Sequence, residues 1–334
     1  MATSQTSPTS QTSSTAFHAY QPALQAAQAA AGQQNYPAGA LYVVATPIGN
    51  LADISLRALH VLGLVDAVAC EDTRHTGALL HSYGLHKPLL ALHQHNEAQA
   101  AQTVLARLEA GERVAYVSDA GTPGISDPGA RLCAALQAAG KRCIPLPGAS
   151  SITALVSVAG LPAPDGDSAS TGFSFVGFLP SRGADRTRAL LRLASAEHAC
   201  VLLESPHRME QLARELAADA ALAPRPITVG RELTKQFEEV ATLPCADLPG
   251  WLAASPQRGK GEFALVLHPP GAAGLLGAQE EGKLAPATER TLRLLLEELP
   301  VKTAARLAAE LTGEPKNALY QAALAWKKQA SGEG

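Results

Sequence analysis

The stretch that decides the fold is Val117-Ser118-Asp119-Ala120-Gly121-Thr122-Pro123-Gly124-Ile125-Ser126-Asp127-Pro128-Gly129. It follows a strand-like run at 113–117 and precedes a helical pattern at 130–139. In an open α/β sheet, a loop that leads from a strand into a helix is where ligands bind. Its glycines let the backbone approach a ligand closely, and its prolines stiffen the loop. We therefore predict a binding site here, with an ordinary strand-to-helix turn as the alternative.

This loop has neither of the common nucleotide-binding patterns. It lacks G-x-G-x-x-G and G-x-x-x-x-G-K-[ST], which bind dinucleotides and nucleoside triphosphates through their phosphates. A dinucleotide-dependent oxidoreductase is therefore disfavoured. A compact ligand held by backbone groups, such as an adenosine with an amino-acid tail, fits the loop better.

Composition narrows the class of protein. A chain of 334 residues, 46% of them hydrophobic, is long enough for about two domains with substantial cores. The formal charge of −3 argues against bulk electrostatic binding of nucleic acid, DNA included, but leaves room for a local basic patch. The five cysteines are scattered without a C-x-x-C pair, which is typical of free thiols in a reducing cytosol. No apolar run is long enough to span a membrane and no signal-peptide pattern is present, so we expect a cytoplasmic protein without a membrane partner.

Apolar runs alternate with amphipathic patterns along the chain, which predicts the α/β class with a doubly wound parallel sheet. The first strands are predicted at 41–46, 67–71, 89–93, 113–117 and 142–146, and the first helices at 55–64, 76–83, 97–109, 130–139 and 151–158. A second α/β pattern has strands at 173–178, 199–203, 227–229 and 263–268 and helices at 186–193 and 209–219. We expect two α/β domains with a cleft between them.

Shifts in composition divide the chain further. Residues 1–39 are rich in Ser, Thr, Gln and Ala and are interpreted as a disordered leader. The predicted division is 1–39 leader, 40–159 N-terminal α/β domain with the ligand and catalytic sites, 160–172 linker, 173–269 C-terminal α/β domain, 270–284 linker, and 285–330 helical tail. The tail is predicted to hold helices at 288–299, 303–311 and 316–328 around the turn Thr312-Gly313-Glu314-Pro315. This spacing favours helix-turn-helix geometry, and a plain helical hairpin is the alternative.

Polar residues gather where the predicted strands end, and parallel strands bring such ends to one edge of a sheet. In the first domain these segments are TPIGNL (46–51), EDTR (71–74), HQHNE (93–97), the opening loop and PGASS (147–151). In the second domain they are ESPHR (204–208) and RELTK (231–235). We expect them to line one cleft.

Several of these side chains suit chemistry, and each also has a structural explanation. Glu71 and Asp72 suit a general base or a metal ion, unless Asp72 only caps a helix. His93 and His95 suit substrate contact or general base catalysis better than metal binding. A third group, Arg182, Arg186, Arg188 and Arg192, suits phosphate contacts or forms a solvated helix face. No arrangement for covalent catalysis is present.

These motifs, in this order, resemble the tetrapyrrole methylase superfamily, and within it a branch of ribosomal RNA small subunit methyltransferases. The resemblance rests on TPIGNLADI (46–54), CEDTRHT (70–76), HQHNE (93–97), SDAGTPGISDPG (118–129), LPG (146–148), GFLP (177–180), ESPHR (204–208), RELTK (231–235) and KGEF (260–263). The branch that acts on tetrapyrroles lacks the motifs at 71–76 and 93–97. Two departures from the family pattern are the leader and the run His268-Pro269-Pro270, where an acidic residue and a glycine are expected.

The resemblance implies a fold of the tetrapyrrole methylase type, a homodimer, and S-adenosylmethionine as cofactor. It implies 2′-O-methylation of a cytidine in 16S ribosomal RNA, within or from the small ribosomal subunit. The expected cofactor neighbours are Pro47, Gly49, Asp119, Ala120, Gly121, Thr122, Pro123, Gly124, Ile125, Ser150, Ser151 and Glu204. No metal ligand is assigned.

A ribose 2′-hydroxyl needs alignment with the methyl donor and a group that takes its proton. The candidate bases are Asp119, Glu71, Asp72 and His95, with Glu71 or Asp72 favoured. Arg74 and Lys235 suit contacts with RNA phosphates. The alternative functions are a tetrapyrrole methyltransferase and a non-catalytic protein that binds the cofactor or RNA.

Overall fold

The computed structural model describes residues 20–93, 96–126, 129–161, 172–271, 286–312 and 316–330. The first part contains α1 (Gln21–Ala31), β1 (Ala40–Val44), α2 (Leu56–Leu64), β2 (Ala67–Cys70), α3 (Thr73–Ser82), β3 (Leu89–Ala91), α4 (Glu97–Glu109), β4 (Val114–Val117), α5 (Ala130–Ala138), β5 (Arg142–Leu146) and α6 (Ser151–Val158). The second contains β6 (Phe173–Phe178), α7 (Gly183–Ser195), β7 (Ala199–Glu204), α8 (Pro206–Ala218), β8 (Pro226–Arg231), β9 (Glu239–Pro244), α9 (Leu248–Ala253) and β10 (Phe263–Leu267). The tail contains α10 (Pro286–Glu298), α11 (Val301–Thr312) and α12 (Lys316–Ala330).

The first sheet confirms the predicted doubly wound parallel architecture. Its strand order is β3-β2-β4-β1-β5, and each pair is parallel. The inner strands are apolar and buried because separate core clusters cover the two faces of the sheet. Strands β1 and β4 are neighbours, so the loops that follow them lie side by side. A two-residue bridge between Thr46 and Gly121 fastens these loops, with N–H to carbonyl distances of 2.9 and 3.0 Å.

The second sheet is mixed, in the order β6-β7-β10-β8-β9. Only β6 and β7 are parallel, and β10 runs antiparallel to both of its neighbours. The sequence prediction omitted β9 and the short helix α9. Strand β9 alternates between half-buried and exposed residues at the sheet edge, and its glutamate and proline obscured this weak period-2 pattern.

The interpretation of residues 1–39 as disordered is wrong for residues 20–39, and residues 1–19 lie outside the described residues. Helix α1 buries Ala27 and Ala31 against α2, and the ring edge of Tyr20 packs on Tyr83 at a centroid distance of 5.1 Å. Alanine has the highest helix propensity, and alanines four residues apart share one helix face. An uncharged Ala/Gln run can therefore form a packed helix.

The linkers and the tail are described only in part. Residues 162–171 and 272–284 of the predicted linkers, and 313–315 of the predicted turn, lie outside the described residues. The three tail helices are present and share a small core of Leu292, Ala304, Ala305, Ala308, Leu319 and Ala323. Arg293 lies over the ring of Trp326 at 4.2 Å. Among the described helices, none combines the length and the apolar character needed to cross a membrane.

A buried polar cluster lies around His268, directly after β10, where the sequence departs from the pattern of the family that it resembles. His268 is fully buried, and its Nε2 lies 2.7 Å from the hydroxyl of Thr228. The carbonyl of His268 accepts a hydrogen bond from Nε of Arg225 at 2.8 Å. Burial, and secondarily the positive charge of Arg225, lowers the pKa of His268. The imidazole is therefore held neutral in the folded protein.

We predict that His268 weakens the fold at mildly acidic pH. Below its ordinary pKa of about 6.5 the unfolded chain binds a proton that the folded chain does not. The free energy of unfolding then falls as pH decreases, by up to about 1.4 kcal/mol per pH unit, until the folded-state pKa is reached. His268→Gln keeps a hydrogen-bonding group but does not titrate. Urea unfolding at several pH values should show wild type losing stability relative to this variant below pH about 6.5, and parallel curves would contradict the prediction.

Candidate active site

A cavity of about 420 Å³ lies between the two sheets, a volume typical of small-molecule sites. The carboxyl ends of β1, β4, β6 and β7 converge on it, together with the start of α6. The residues from the first part of the chain that line it are Ile48, 120–122, 125, 126 and 150–152. Those from the second part are Phe178, 203–206, 230, 233 and 262–264.

One wall is made largely of backbone. Gly121 adopts a left-handed conformation, with φ of 81°, while it pairs with Thr46. The hydroxyl of Thr122 donates to the carbonyl of Ala149 at 3.1 Å and so ties this loop to the segment before α6. At the start of α6, Ser150 makes no side-chain capping bond. The wall therefore offers backbone groups, a serine hydroxyl and a helix N-terminus, and the last of these favours anionic groups.

A buried glutamate anchors the far end of the opening loop. Glu97 is 8% exposed, and its Oε1 accepts a hydrogen bond from the backbone N–H of Gly129 at 3.1 Å. Gly129 has φ of 118°, and a Cβ atom there would lie 2.2 Å from the ring of Tyr116. Sequence reasoning gave Glu97 no role, although an acid in the first turn of a helix beside a glycine-rich loop was the available signal.

The opposite wall presents a buried carboxylate. The side chain of Glu204 is fully buried, and its Oε1 accepts from the N–H of Ser205 at 2.8 Å and lies 3.3 Å from Nε of Arg208. Its Oε2 has no hydrogen-bond partner within the described part of the chain. Because an unpaired buried acceptor is costly and Glu204 lines the cavity, this carboxylate suits a ligand that donates a hydrogen bond to it.

The side chain of Asp72 caps helix α3, as the structural explanation of this residue predicted. Its Oδ1 accepts from the N–H of Arg74 at 2.8 Å, and its Oδ2 pairs with the Arg74 guanidinium at 3.0 Å. Hydrogen bonds from the Arg74 side chain and backbone lower the pKa of Asp72 to about 2. The backbone N–H of Asp72 in turn donates to Oδ1 of Asp119 at 3.2 Å, which links this turn to the opening loop.

Lys235 joins the two parts of the chain beside the cavity. Its Nζ pairs with Glu232 at 2.9 Å and with Glu262 at 2.8 Å. Partial burial lowers the pKa of Lys235, but the hydrogen bonds to Glu262 and Glu232 outweigh burial, so that the pKa lies above its ordinary value. A Cβ atom on Gly49 would lie 2.4 Å from Cγ of Lys235, so glycine permits this close approach.

The loop that carries Lys235 is strained. Glu232 and Thr234 adopt left-handed conformations, with φ of 49° and 67°, and such non-glycine residues cluster at functional sites. Glu232 is held there because its Oε1 accepts from the N–H of Glu262 at 2.9 Å.

The expected site residues fall into three groups. Those that line the cavity are Ala120, Gly121, Thr122, Ile125, Ser150, Ser151 and Glu204. Those that lie outside its wall are Pro47, Gly49, Asp119, Pro123, Gly124, Glu71, Asp72, Arg74 and Lys235. His95 lies outside the described residues. Sequence reasoning gave no site role to Phe178, Leu203, Gly230 and Phe263, which also form the wall, although Phe178 and Phe263 lie in the motifs at 177–180 and 260–263.

The predicted phosphate-binding arginine cluster is wrong for Arg186. This side chain is 4% exposed and donates from Nε to both carboxylate oxygens of Glu215, at 2.8 and 2.9 Å. Arg188 pairs with Asp185 on the same helix. A buried guanidinium with a paired carboxylate supports the fold, whereas Arg182 and Arg192 remain exposed.

Comparison with known proteins places the chain among methyltransferases. Residues 40–249 match the family model described as Tetrapyrrole (Corrin/Porphyrin) Methylases, and residues 283–327 match the RsmI C-terminal HTH domain. A relative from Vibrio cholerae named ribosomal RNA small subunit methyltransferase I is 44% identical over 287 residues, covering 85% of this chain and 95% of the relative. The relative of the same name from Escherichia coli O157:H7 is 45% identical over 286 residues, covering 86% and 95%.

Solved structures share the fold of this chain. A cobalt precorrin-4 methyltransferase, CbiF, has a TM-score of 0.52 and 19% identity, covering 70% of this chain and 98% of its own. A diphthine synthase has a TM-score of 0.52 and 17% identity, covering 69% and 89%. At this identity the likeness concerns the two-sheet architecture alone.

Proposed function

The chain belongs to the tetrapyrrole methylase family, and from this premise we propose that it is an S-adenosylmethionine-dependent ribosomal RNA methyltransferase. We propose that it methylates the 2′-hydroxyl of a cytidine in 16S ribosomal RNA of the small subunit. The observation that carries this proposal is the 44–45% identity to small-subunit rRNA methyltransferases over 95% of their length. The cavity between the two sheets is the proposed binding site of the methyl donor.

The residues of the cavity fit the cofactor. S-adenosylmethionine supplies a methyl group on a positively charged sulfur when it is bound. The unpartnered Oε2 of Glu204 suits the amino and hydroxyl donors of an adenosine or the α-ammonium group. The N-terminus of α6 with Ser150 and Ser151 suits the carboxylate of the amino-acid tail, and the backbone at Gly121 permits close approach.

The ribose 2′-hydroxyl is a weak nucleophile, so the protein has to align it and accept its proton. Asp72 caps helix α3 and forms an ion pair with Arg74. A carboxylate with a pKa of about 2 is also a poor base. Asp119 orients the turn by accepting from the Asp72 N–H. We therefore favour Glu71 as the general base, and His95 stays a candidate.

RNA is favoured over a small macrocycle because of the tail and the exposed charges near the site. The three tail helices match a domain named for helix-turn-helix geometry, and Arg74 is 91% exposed. Arg74 pairs with one carboxylate and stays exposed, whereas Lys235 is partly buried between two carboxylates, so Arg74 is the better candidate for contact with RNA phosphates. The implied homodimer and cytoplasmic location remain proposals, and sedimentation velocity tests the first.

The proposed reaction is tested by transfer of labelled methyl from S-adenosylmethionine. The acceptors are purified small subunits that lack the modification, free 16S RNA and a tetrapyrrole precursor. We expect label on the ribose of one cytidine, and the comparison of the first two acceptors shows which assembly state is used. Label only in the macrocycle would overturn the RNA proposal, and tight cofactor binding without any transfer would favour a non-catalytic binding protein.

The choice of general base predicts opposite results for two neighbouring carboxylates. Glu71→Gln should lower kcat by about 10²–10⁴-fold, while Asp72→Asn, which keeps an acceptor oxygen for the cap, should retain near-normal turnover. Single-turnover methyl transfer gives the rates, and circular dichroism confirms that both variants are folded. Near-normal turnover of folded Glu71→Gln would remove Glu71 from this role.

Glu204→Gln should weaken S-adenosylmethionine binding by about 10-fold or more, because a charged acceptor in a buried site is replaced by a neutral amide. Isothermal titration calorimetry measures the Kd. Glu210→Gln is the matched control because Glu210 lies on α8 in an exposed ion pair with Arg214. An unchanged Kd in the folded Glu204→Gln variant would mean that Oε2 of Glu204 does not contact the cofactor.

Deletion of the chain from Ala285 onward should raise KM for the RNA and leave the Kd for S-adenosylmethionine nearly unchanged. The tail helices have their own core, and the cavity is lined by residues from 48 to 264. Methyl-transfer kinetics and calorimetry measure the two quantities. Parallel loss of both would show that the tail supports the fold instead of binding RNA.

A further inference from the structure

Phe178 combines high exposure with a position on the cavity wall. It is 52% exposed, and single exposed apolar residues are common on protein surfaces. Of the large apolar side chains that are exposed in the described residues, however, two line the cavity: Ile125 from the first part of the chain and Phe178 from the second. An aromatic side chain thus lines the cavity while half of its surface is exposed to solvent.

The backbone of β6 is bent at this point. The pairing of β6 with β7 shifts register between Phe175 and Gly177, so that Phe178 lies opposite Leu203 and beside Glu204. Gly177 has φ of 73°, a conformation that favours glycine. Strand bulges of this kind re-aim side chains and recur next to active sites. The bulge therefore accounts for the position of Phe178 at the cavity.

Two arginines hold the segment that follows Phe178. The carbonyl of Leu179 accepts a hydrogen bond from Arg208, which also pairs with Glu204 at 3.3 Å. The carbonyl of Pro180 accepts from Nη1 of the buried Arg186 at 2.8 Å. Both bonds come from partly or fully buried guanidinium groups. The backbone that follows Phe178 is thus anchored, while half of the surface of Phe178 stays exposed.

We propose that Phe178 stacks on the base of the target nucleotide and so holds its ribose over the cavity. The inference rests on the proposed function. Unstacked bases in single-stranded RNA are recognised by stacking on aromatic side chains, and a ribose that is to be methylated in a cavity needs its nucleotide to be displaced from its neighbours. The exposed Arg182, four residues further along, suits the adjacent phosphate.

The geometry favours the RNA base over the adenine of the cofactor. Small-molecule sites enclose most of their ligand, and Gly121 and Glu204 on the cavity wall are buried. Phe178, by contrast, lines the same cavity with half of its surface in solvent. Stacking of the cofactor on Phe178 is therefore an outcome that the test has to distinguish.

The test compares Phe178→Ala, Phe178→Trp and Phe178→Tyr in the full-length protein. Phe173→Ala is the matched control, since Phe173 is 44% exposed on the same strand but does not line the cavity. Methyl-transfer kinetics on small subunits that lack the modification give KM for RNA, and calorimetry gives the Kd for S-adenosylmethionine. We expect Phe178→Ala to raise the RNA KM by about 10-fold, with the cofactor Kd unchanged. The Tyr and Trp variants and Phe173→Ala should resemble wild type.

Four outcomes would overturn the inference. One is an unchanged RNA KM in Phe178→Ala, and another is an equal loss for Phe173→Ala. A third is a cofactor Kd that rises as much as the RNA KM, which would place the ring against the adenine. The fourth is a change of sedimentation coefficient in Phe178→Ala alone, which would place it at an interface between copies. If wild type itself transfers no methyl to RNA, the proposed function fails first, so the two failures are distinguishable.

Discussion

The packing of helix α6 on the second sheet is the constraint on which the site depends. Ile152 and Leu155 of this helix share a core cluster with Val201, Ala264 and Val266 of the second sheet. The contact is tight because a Cβ atom on Gly230 would lie 2.7 Å from Cδ1 of Leu155. Helix α6 begins at Ser151 on the cavity wall, and Gly230 and Ala264 form the opposite side. This apolar contact therefore sets the distance between the two walls of the cavity.

Charged side chains add contacts beside the apolar packing of α6 on the second sheet. Lys235 packs on Gly49 and is held by Glu232 and Glu262. A single surface ion pair contributes little to the free energy of unfolding. Here, however, two carboxylates and a strained loop together hold the side chain of Lys235 in place. On the other side, Arg208 bonds to the carbonyl of Leu179 and pairs with Glu204. One guanidinium thus couples the buried carboxylate of the cavity to the backbone that follows Phe178.

The sequence predicted the parts of the site that follow from one general rule. Parallel strands end at one edge, so the loops after β1 and β4 were expected to meet, and the bridge from Thr46 to Gly121 joins them. Contacts that depend on distant partners were not predictable from local pattern. The buried Arg186 donates hydrogen bonds to Glu215, which is 29 residues away in the sequence. Helix α1 packs against α2 and Tyr83. The same rule placed Ser150 and Ser151 on the cleft wall, and the resemblance to a known family added the cofactor as their expected neighbour.

The charge of the chain limits how RNA can be recognised. The whole chain carries −3, whereas residues 286–330 hold seven Lys and Arg against five Asp and Glu, a net of +2. The remainder is therefore at −5, so it repels a polyanion at long range. Arg186 and Lys235, two of the cations near the cavity, are compensated by carboxylates. Long-range attraction at the cavity is therefore weak, so recognition there depends on stacking, hydrogen bonds and single phosphate contacts such as those proposed for the exposed Arg74 and Arg182. The tail supplies the modest attraction that brings RNA within reach.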